Sequence, residues 1–248
     1  MRAWMGVVVV VLALSGVACD TVSGSDNVVT RQVEVAPFST LEVSDSFTVN
    51  VTVGDLEELT VRADDNLIDS VDAGVSGDAL RIGLESGTEA SDATLEADVT
   101  VTSLAALEAS GSSTITLTDP LAGTLAATVS GASRLNGTLE IDEGSFELSG
   151  ASVFSLSGSA TALDVTENDA SRLDALALTI ADLTIDLSGA SEAEVTVTGA
   201  LSASASGRRP SSTPARRRSS GPRCRAPRTS GPSSSDGGRA QGRTARSS

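Results

Sequence analysis

The chain has 248 residues and a formal charge of -16, and all 17 of its basic residues are Arg, with no His, Lys or Tyr. Those absences exclude Ser-His-Asp and Cys-His nucleophiles, His-ligated zinc, Schiff-base lysines and Walker loops, and two Cys are too few for a zinc or iron–sulfur cluster. Residues 1–206 hold 6 Arg against 32 Asp and Glu, a net of -26, which with only four Phe argues against a nucleic-acid platform; residues 207–248 hold 11 Arg and one acid, Asp236, a net of +10.

The first element is an export signal over residues 1–18. Arg2 supplies its charge, and Val7 to Leu14 is an unbroken apolar run of eight residues. That is far short of the roughly 20 residues a membrane-spanning helix needs. The run ends in Val17-Ala18-Cys19, which resembles a bacterial lipobox; the resemblance implies that Cys19 becomes the first mature residue and carries the lipid. One departure is Gly16, where the pattern usually has Leu. Cleavage by a general signal peptidase after Ala18 is the competing reading. Residues 19–27 then form a short polar, lipidated tether.

Residues 28–109 alternate apolar and polar positions, the mark of a strand with one buried face. The alternation shows at Val33 and Val35, Leu41 and Val43, Phe47 to Val53, Leu59 and Val61, Leu80 to Leu84, and Val99 and Val101. Ser44-Asp45-Ser46 reads as a degenerate turn. Asp64 to Asp69 and Glu85 to Asp92 read as exposed loops. The spacing of Asp64, Asp65 and Asp69 fits neither an EF-hand nor the nonapeptide calcium repeat, so these are expected to be solvated acids. This half is expected to supply irregular rungs and a cap.

Residues 110–206 are regular. The tetrad Ser110-Gly111-Ser112-Ser113 returns as Ser130-Gly131-Ala132-Ser133, Ser149-Gly150-Ala151-Ser152, Asn168-Asp169-Ala170-Ser171 and Ser188-Gly189-Ala190-Ser191, at spacings of 19 or 20. Alternating apolar residues flank each tetrad, for example Leu125, Ala127 and Val129 before the second and Phe154 and Leu156 after the third. Each unit therefore reads strand, tight turn, strand. Twenty residues are too few for a strand–helix–strand crossover. Equal spacing favours a parallel β-solenoid, in which identical turns stack, over an antiparallel sandwich, whose loops vary. The expected fold is all-β, a parallel solenoid with rungs of about 19–20 residues across a head domain at 28–206.

From Arg208 onward the alternation stops and Arg, Ser, Pro and Gly dominate. Such text is what GC-rich DNA yields in a wrong reading frame; the competing reading is a basic arm for anionic lipid or glycan. Either way residues 207–248 cannot build a core and read as disordered, with Cys224 lacking a structural partner.

The head domain also resembles a family. The segments Phe38-Ser39-Thr40-Leu41-Glu42-Val43, Val61-x-Ala63-Asp64-Asp65-Asn66-Leu67, Leu80-Arg81-Ile82, Val99-Thr100-Val101 and Leu107-Glu108-Ala109-Ser110-Gly111, followed by the later Ser-Gly tetrads, are similar to the auto-transporter adhesin, head GIN domain family. The resemblance covers about residues 30–206. It implies a right-handed parallel β-helix on a bacterial envelope lipoprotein, with no catalytic residues to carry over.

Superposing the repeats on the tetrads aligns Thr114, Arg134, Val153, Arg172 and Glu192 in one outward column. Thr116, Asn136, Ser155, Asp174 and Glu194 fill the next. Arg134, Asn136, Arg172, Asp174, Glu192 and Glu194 are thus candidate surface residues, and Arg172 is expected to pair with Glu192 one rung away. No catalytic residue, metal site or cofactor is expected. The functional expectation is a non-enzymatic, exported lipoprotein at the outer membrane, on its periplasmic face or at the cell surface. Its expected partners are the membrane, a surface glycan or protein, and further copies stacked end to end. The alternative is a β-helical lyase or hydrolase acting on uronic acids through Arg and carboxylates.

Overall fold

A computed structural model describes residues 20–206. Its strands in chain order are β1 (Asp20–Ser23), β2 (Val28–Val33), β3 (Thr40–Val43), β4 (Thr48–Val53), β5 (Glu58–Asp64), β6 (Val71–Ser76), β7 (Ala79–Leu84), β8 (Thr88–Ser91) and β9 (Leu95–Val101). Then come β10 (Ala106–Ala109), β11 (Thr114–Leu117), β12 (Leu121–Val129), β13 (Arg134–Leu148), β14 (Val153–Glu167), β15 (Arg172–Ser188), β16 (Glu192–Val197) and β17 (Leu201–Ser206). The only helical element among the described residues is one 3-10 turn, Ile68–Ser70. The strands stack as a β-solenoid of about five turns.

The tetrads are its corners. Gly111, Gly131, Gly150 and Gly189 have φ between 69° and 71°, and Asp169 has 63°. A left-handed first central residue suits a tight turn, closed here by Ser113 N–H to the Ser110 carbonyl and Ser133 N–H to the Ser130 carbonyl, both 3.3 Å. Corners also bond to one another: Ala132 N–H donates to the Gly111 carbonyl at 3.0 Å and Ala151 N–H to the Gly131 carbonyl at 2.7 Å. Glycine is needed for space as well as for φ, since a Cβ on Gly131 would lie 2.5 Å from the Gly111 oxygen. Equal repeat length is the sequence trace of this stacking.

The strands before the corners form one face of a continuous 15-stranded ladder, called here the first sheet, and those after the corners a second face, called the second sheet; on both, the strands flanking the corners run parallel and in register. Val43, Ala109, Val129, Leu148, Glu167, Leu187 and Ala205 form one inward column. Across the corner Val49, Ile115, Leu135, Phe154, Leu173 and Ala193 form another. The second column is at most 5% exposed throughout. Phe146 and Phe154 meet edge to face at 5.4 Å across this interior.

Two features depart from a simple strand–turn–strand unit. β13, β14 and β15 are 15, 15 and 17 residues long and bend through a third sheet. That sheet pairs Leu139–Ile141 with Leu121–Gly123 on one side and with Gly158–Ala160 on the other. The first half is woven rather than wound. β7 and β9 lie on one side of β3 and β4, while β10 and β11 lie on the other. The rung that comes first in sequence is therefore flanked in space by two later ones. β5 pairs antiparallel with β9 and β2, and β6 antiparallel with β7, extending both sheets at this end.

The loop expectations need correction. Asp64 ends β5 and is 1% exposed, because its Oδ2 accepts the Thr94 N–H at 2.8 Å within the fold. Thr88–Ser91 is not loop but β8, paired parallel with β1. Ser44-Asp45-Ser46 is a corner: both Asp45 and Ser46 have positive φ, and Gly111 stacks against Asp45.

Candidate interaction surface

The second sheet presents two outward columns whose register follows from the corner spacing. Thr114 pairs with Arg134, Arg134 with Val153, Val153 with Arg172 and Arg172 with Glu192. Two residues on, Thr116, Asn136, Ser155, Asp174 and Glu194 align likewise. In the other direction the columns continue through Thr48 and Asn50 on β4 to Glu96 and Asp98 on β9, then Arg62 and Thr60 on β5.

Charge on this strip gathers at its two ends. Arg172 donates to Glu192 at 2.9 Å and to Glu194 at 3.1 Å. With all three side chains partly in solvent, each pair contributes only a few tenths of a kcal/mol. At the other end Arg62 donates to Glu96 at 3.0 Å and also to Asp98, which accepts a further bond from the Asn50 amide at 3.0 Å. The Arg62 guanidinium, aided by Asn50, holds the Asp98 carboxyl below its usual range against the desolvation that opposes it. Between the clusters the strip is neutral apart from Arg134, which is exposed and makes no ion pair among the described residues. Asn136 stands half-buried on the same rung, and Asp174 is half-buried two rungs on, beside Arg172. The six candidate residues thus share one face, but only Arg172, Glu192 and Glu194 touch.

A concavity of about 390 Å³ opens on the first sheet near the woven end. Glu42, Asp72, Arg81 and Glu108 line it with the hydroxyl-bearing Ser44 and Ser110, and Arg81 bonds Glu42 at 2.8 Å. A carboxyl with a raised pKa lies elsewhere.

That group is Glu167, which sequence reading missed. It is fully buried, and neither of its oxygens accepts a hydrogen bond. Burial pushes its carboxyl up to about 8; the neighbouring Ser171 hydroxyl and the Arg172 charge pull the other way, and Glu192 adds to the rise. The clue was available, since Glu167 immediately precedes its tetrad, where Val129 and Leu148 stand in the repeats before it. Cys19 lies outside the described residues. Among the described residues no group of three or more acidic or Cys side chains could hold a metal.

The family model described as "putative auto-transporter adhesin, head GIN domain" matches residues 37–208, more than half of the chain. The chain belongs to that family. Solved structures share the solenoid at low identity, which shows the fold alone. A Bacteroides fragilis protein described as a putative adhesin is 15% identical, with 75% of this chain and 96% of that one covered and a TM-score of 0.65. A putative adhesin from Parabacteroides distasonis is 19% identical, with 76% and 98% covered and a TM-score of 0.60. A Parabacteroides distasonis protein described as a putative lipid binding protein is 14% identical, with 77% and 100% covered and a TM-score of 0.56. No curated protein matches the chain. Membership in an adhesin-like head family supports a non-enzymatic, exported surface protein.

Proposed function

We propose that this head GIN domain protein is a lipid-anchored envelope protein that holds a rigid β-solenoid at the membrane and binds a surface glycan or protein through its outward columns. The observation that carries the reading is the register of the second sheet. Outward Thr, Asn, Ser and Arg side chains repeat one rung apart on a parallel ladder backed by a close-packed core, so a long ligand meets a fixed array rather than mobile loops. Arg134 is the guanidinium in that array with no carboxylate of its own. The acyl group would sit on Cys19, directly before β1, and would hold the woven end near the bilayer.

Two measurements test the two halves of this reading. Palmitate labelling and membrane fractionation of Cys19→Ser should show loss of label and release of the protein; retention at the membrane without label would remove the anchor. A glycan array and pull-down with the soluble head should give ligands whose binding weakens at least several-fold in Arg134→Ala. Ligands indifferent to Arg134, Asn136 and Asp174 substitutions would move the interaction off this strip.

A further inference from the structure

The corner at Asn168–Ser171 differs from its neighbours in two respects at once. Asp169 replaces the glycine of every other tetrad yet keeps a left-handed φ, and its carboxylate accepts the Gly150 N–H at 3.3 Å. One residue before the corner, Glu167 replaces the apolar residue of the inward column, between Leu148 and Leu187. It is the only charged residue in that column, and it is sealed from solvent with both oxygens unpartnered. Beside it runs a column of corner serines. Ser152 and Ser171 are buried, the Ser152 hydroxyl also lacks a partner, and Ser171 touches Ser191 at 3.3 Å.

We infer that Glu167 is a proton-controlled latch for the last rungs of the solenoid, holding β15, β16 and β17 on the stack while it carries its proton and loosening them when it ionises. An ionised carboxylate there would have only the neighbouring Ser171 hydroxyl to turn to, too little to keep it dry. The charged groups around the corner are Arg172 at the start of β15, Glu192 at the start of β16 and Asp169 in the turn. Glu147 and Asp186, next to Leu148 and Leu187, point outward. Only Arg172 would favour the anion, and it is already held by Glu192 and Glu194. Among the described residues β17 pairs with β15 alone, and Leu201 is 39% exposed, whereas Leu183 beneath it is 2% exposed. Opening from β17 to this corner exposes Glu167 without disturbing the woven half.

The sign follows from linkage. The closed form binds its proton more tightly than the open form, so the latch is tightest below the ordinary Glu pKa of about 4.3, loosens about tenfold per pH unit above that, and levels off once the closed form also ionises near pH 8. The test is amide hydrogen exchange on the full mature chain between pH 5 and pH 8, corrected for intrinsic rates. A carbon-detected NMR titration of the Glu167 carboxyl in the wild type goes with it. Amides of 172–206 should lose protection about tenfold per pH unit, and those of 114–148 should not. In Glu167→Gln and Glu167→Leu the pH dependence should vanish. A wild-type carboxyl midpoint within half a unit of 4.3, protection independent of pH, or the same slope in both variants would each overturn the latch. The two wild-type measurements decide the matter even if a variant does not fold.

Discussion

The regular half and the woven half bury the same kind of inward column but reach successive rungs by different routes. Beyond Ser110 the rungs stack on those made 17 to 20 residues earlier, and corner bonds to corner. Before Ser110 the chain lays down β3 and β4, leaves through antiparallel β5 and β6, and returns with β7 and β9 on the far side. β10 then pairs with β3, whose residues lie 66 positions earlier. The wound half resembles a one-dimensional array whose rungs can be lost singly from β17 inward. The woven half ties distant segments together, so its inner rung, β3 and β4, cannot leave without breaking a ladder on each side. Topology, more than composition, decides which part of the same core can fray.

The largest expected effect sharpens that contrast. Phe47→Ala and Phe154→Ala each remove a fully buried ring and should cost about 3–5 kcal/mol. In denaturant melts followed by residue-resolved exchange, Phe47→Ala should lower the stability of the whole body in one transition. Phe154→Ala should instead split off the last rungs as a separate, earlier transition. A single shared transition in both variants would erase the distinction.

Ile185→Ala, in the wound half, should cost about 2–5 kcal/mol, whereas Thr184→Ala on the opposite face should cost less than about 0.5 kcal/mol. Equal midpoint shifts by circular dichroism would contradict the facing of β15.

Corners give the next effect. Gly131→Ala meets both a left-handed backbone and a carbonyl 2.5 Å from the new Cβ, and should cost about 2–3 kcal/mol. Gly77→Ala, in the woven half, has a similar φ of 70° but no neighbour within 4 Å, so only the backbone term of about 1 kcal/mol applies. Equal losses in paired urea melts would show that corner stacking adds nothing.

The smallest effect concerns the ion clusters at the two ends of the strip. Asp98 has a depressed folded pKa, so its contribution is present above the unfolded value near 3.8 and is lost as pH falls through the folded one. Because Asp98 and Arg62 are both partly solvated, Arg62→Met should cost only a few tenths of a kcal/mol at pH 7, and less at pH 2.5. A loss that grows on acidification would reverse the assignment.

These particulars also show what the sequence could and could not disclose. The corner positions and both outward columns were legible, because parallel stacking turns a repeat length into a residue-to-residue register. Arg172 over Glu192 follows from counting alone. Its second bond, to Glu194, needed the side-chain path. The order of rungs in the woven half was not legible, since alternation marks a strand but not its neighbour. Asp64 and Glu167 were read past for one reason: an acid in a polar sequence looks solvated until its neighbours in space are known. The third sheet escaped because Gly, Ser and Ala interrupt the apolar alternation in the middle of β14.

The corner-to-corner hydrogen bonds have a mechanical consequence. They lie along the solenoid axis, as do the ladder bonds between rungs. If the chain is held at Asp20 and drawn from beyond Ser206, the load falls on one rung at a time rather than on all of them in shear. Each detached rung would release about 20 residues of slack, on the order of 70 Å of contour. The wound half would then yield in steps and lengthen under tension, while β3 and β4, each laddered on both sides, hold longer.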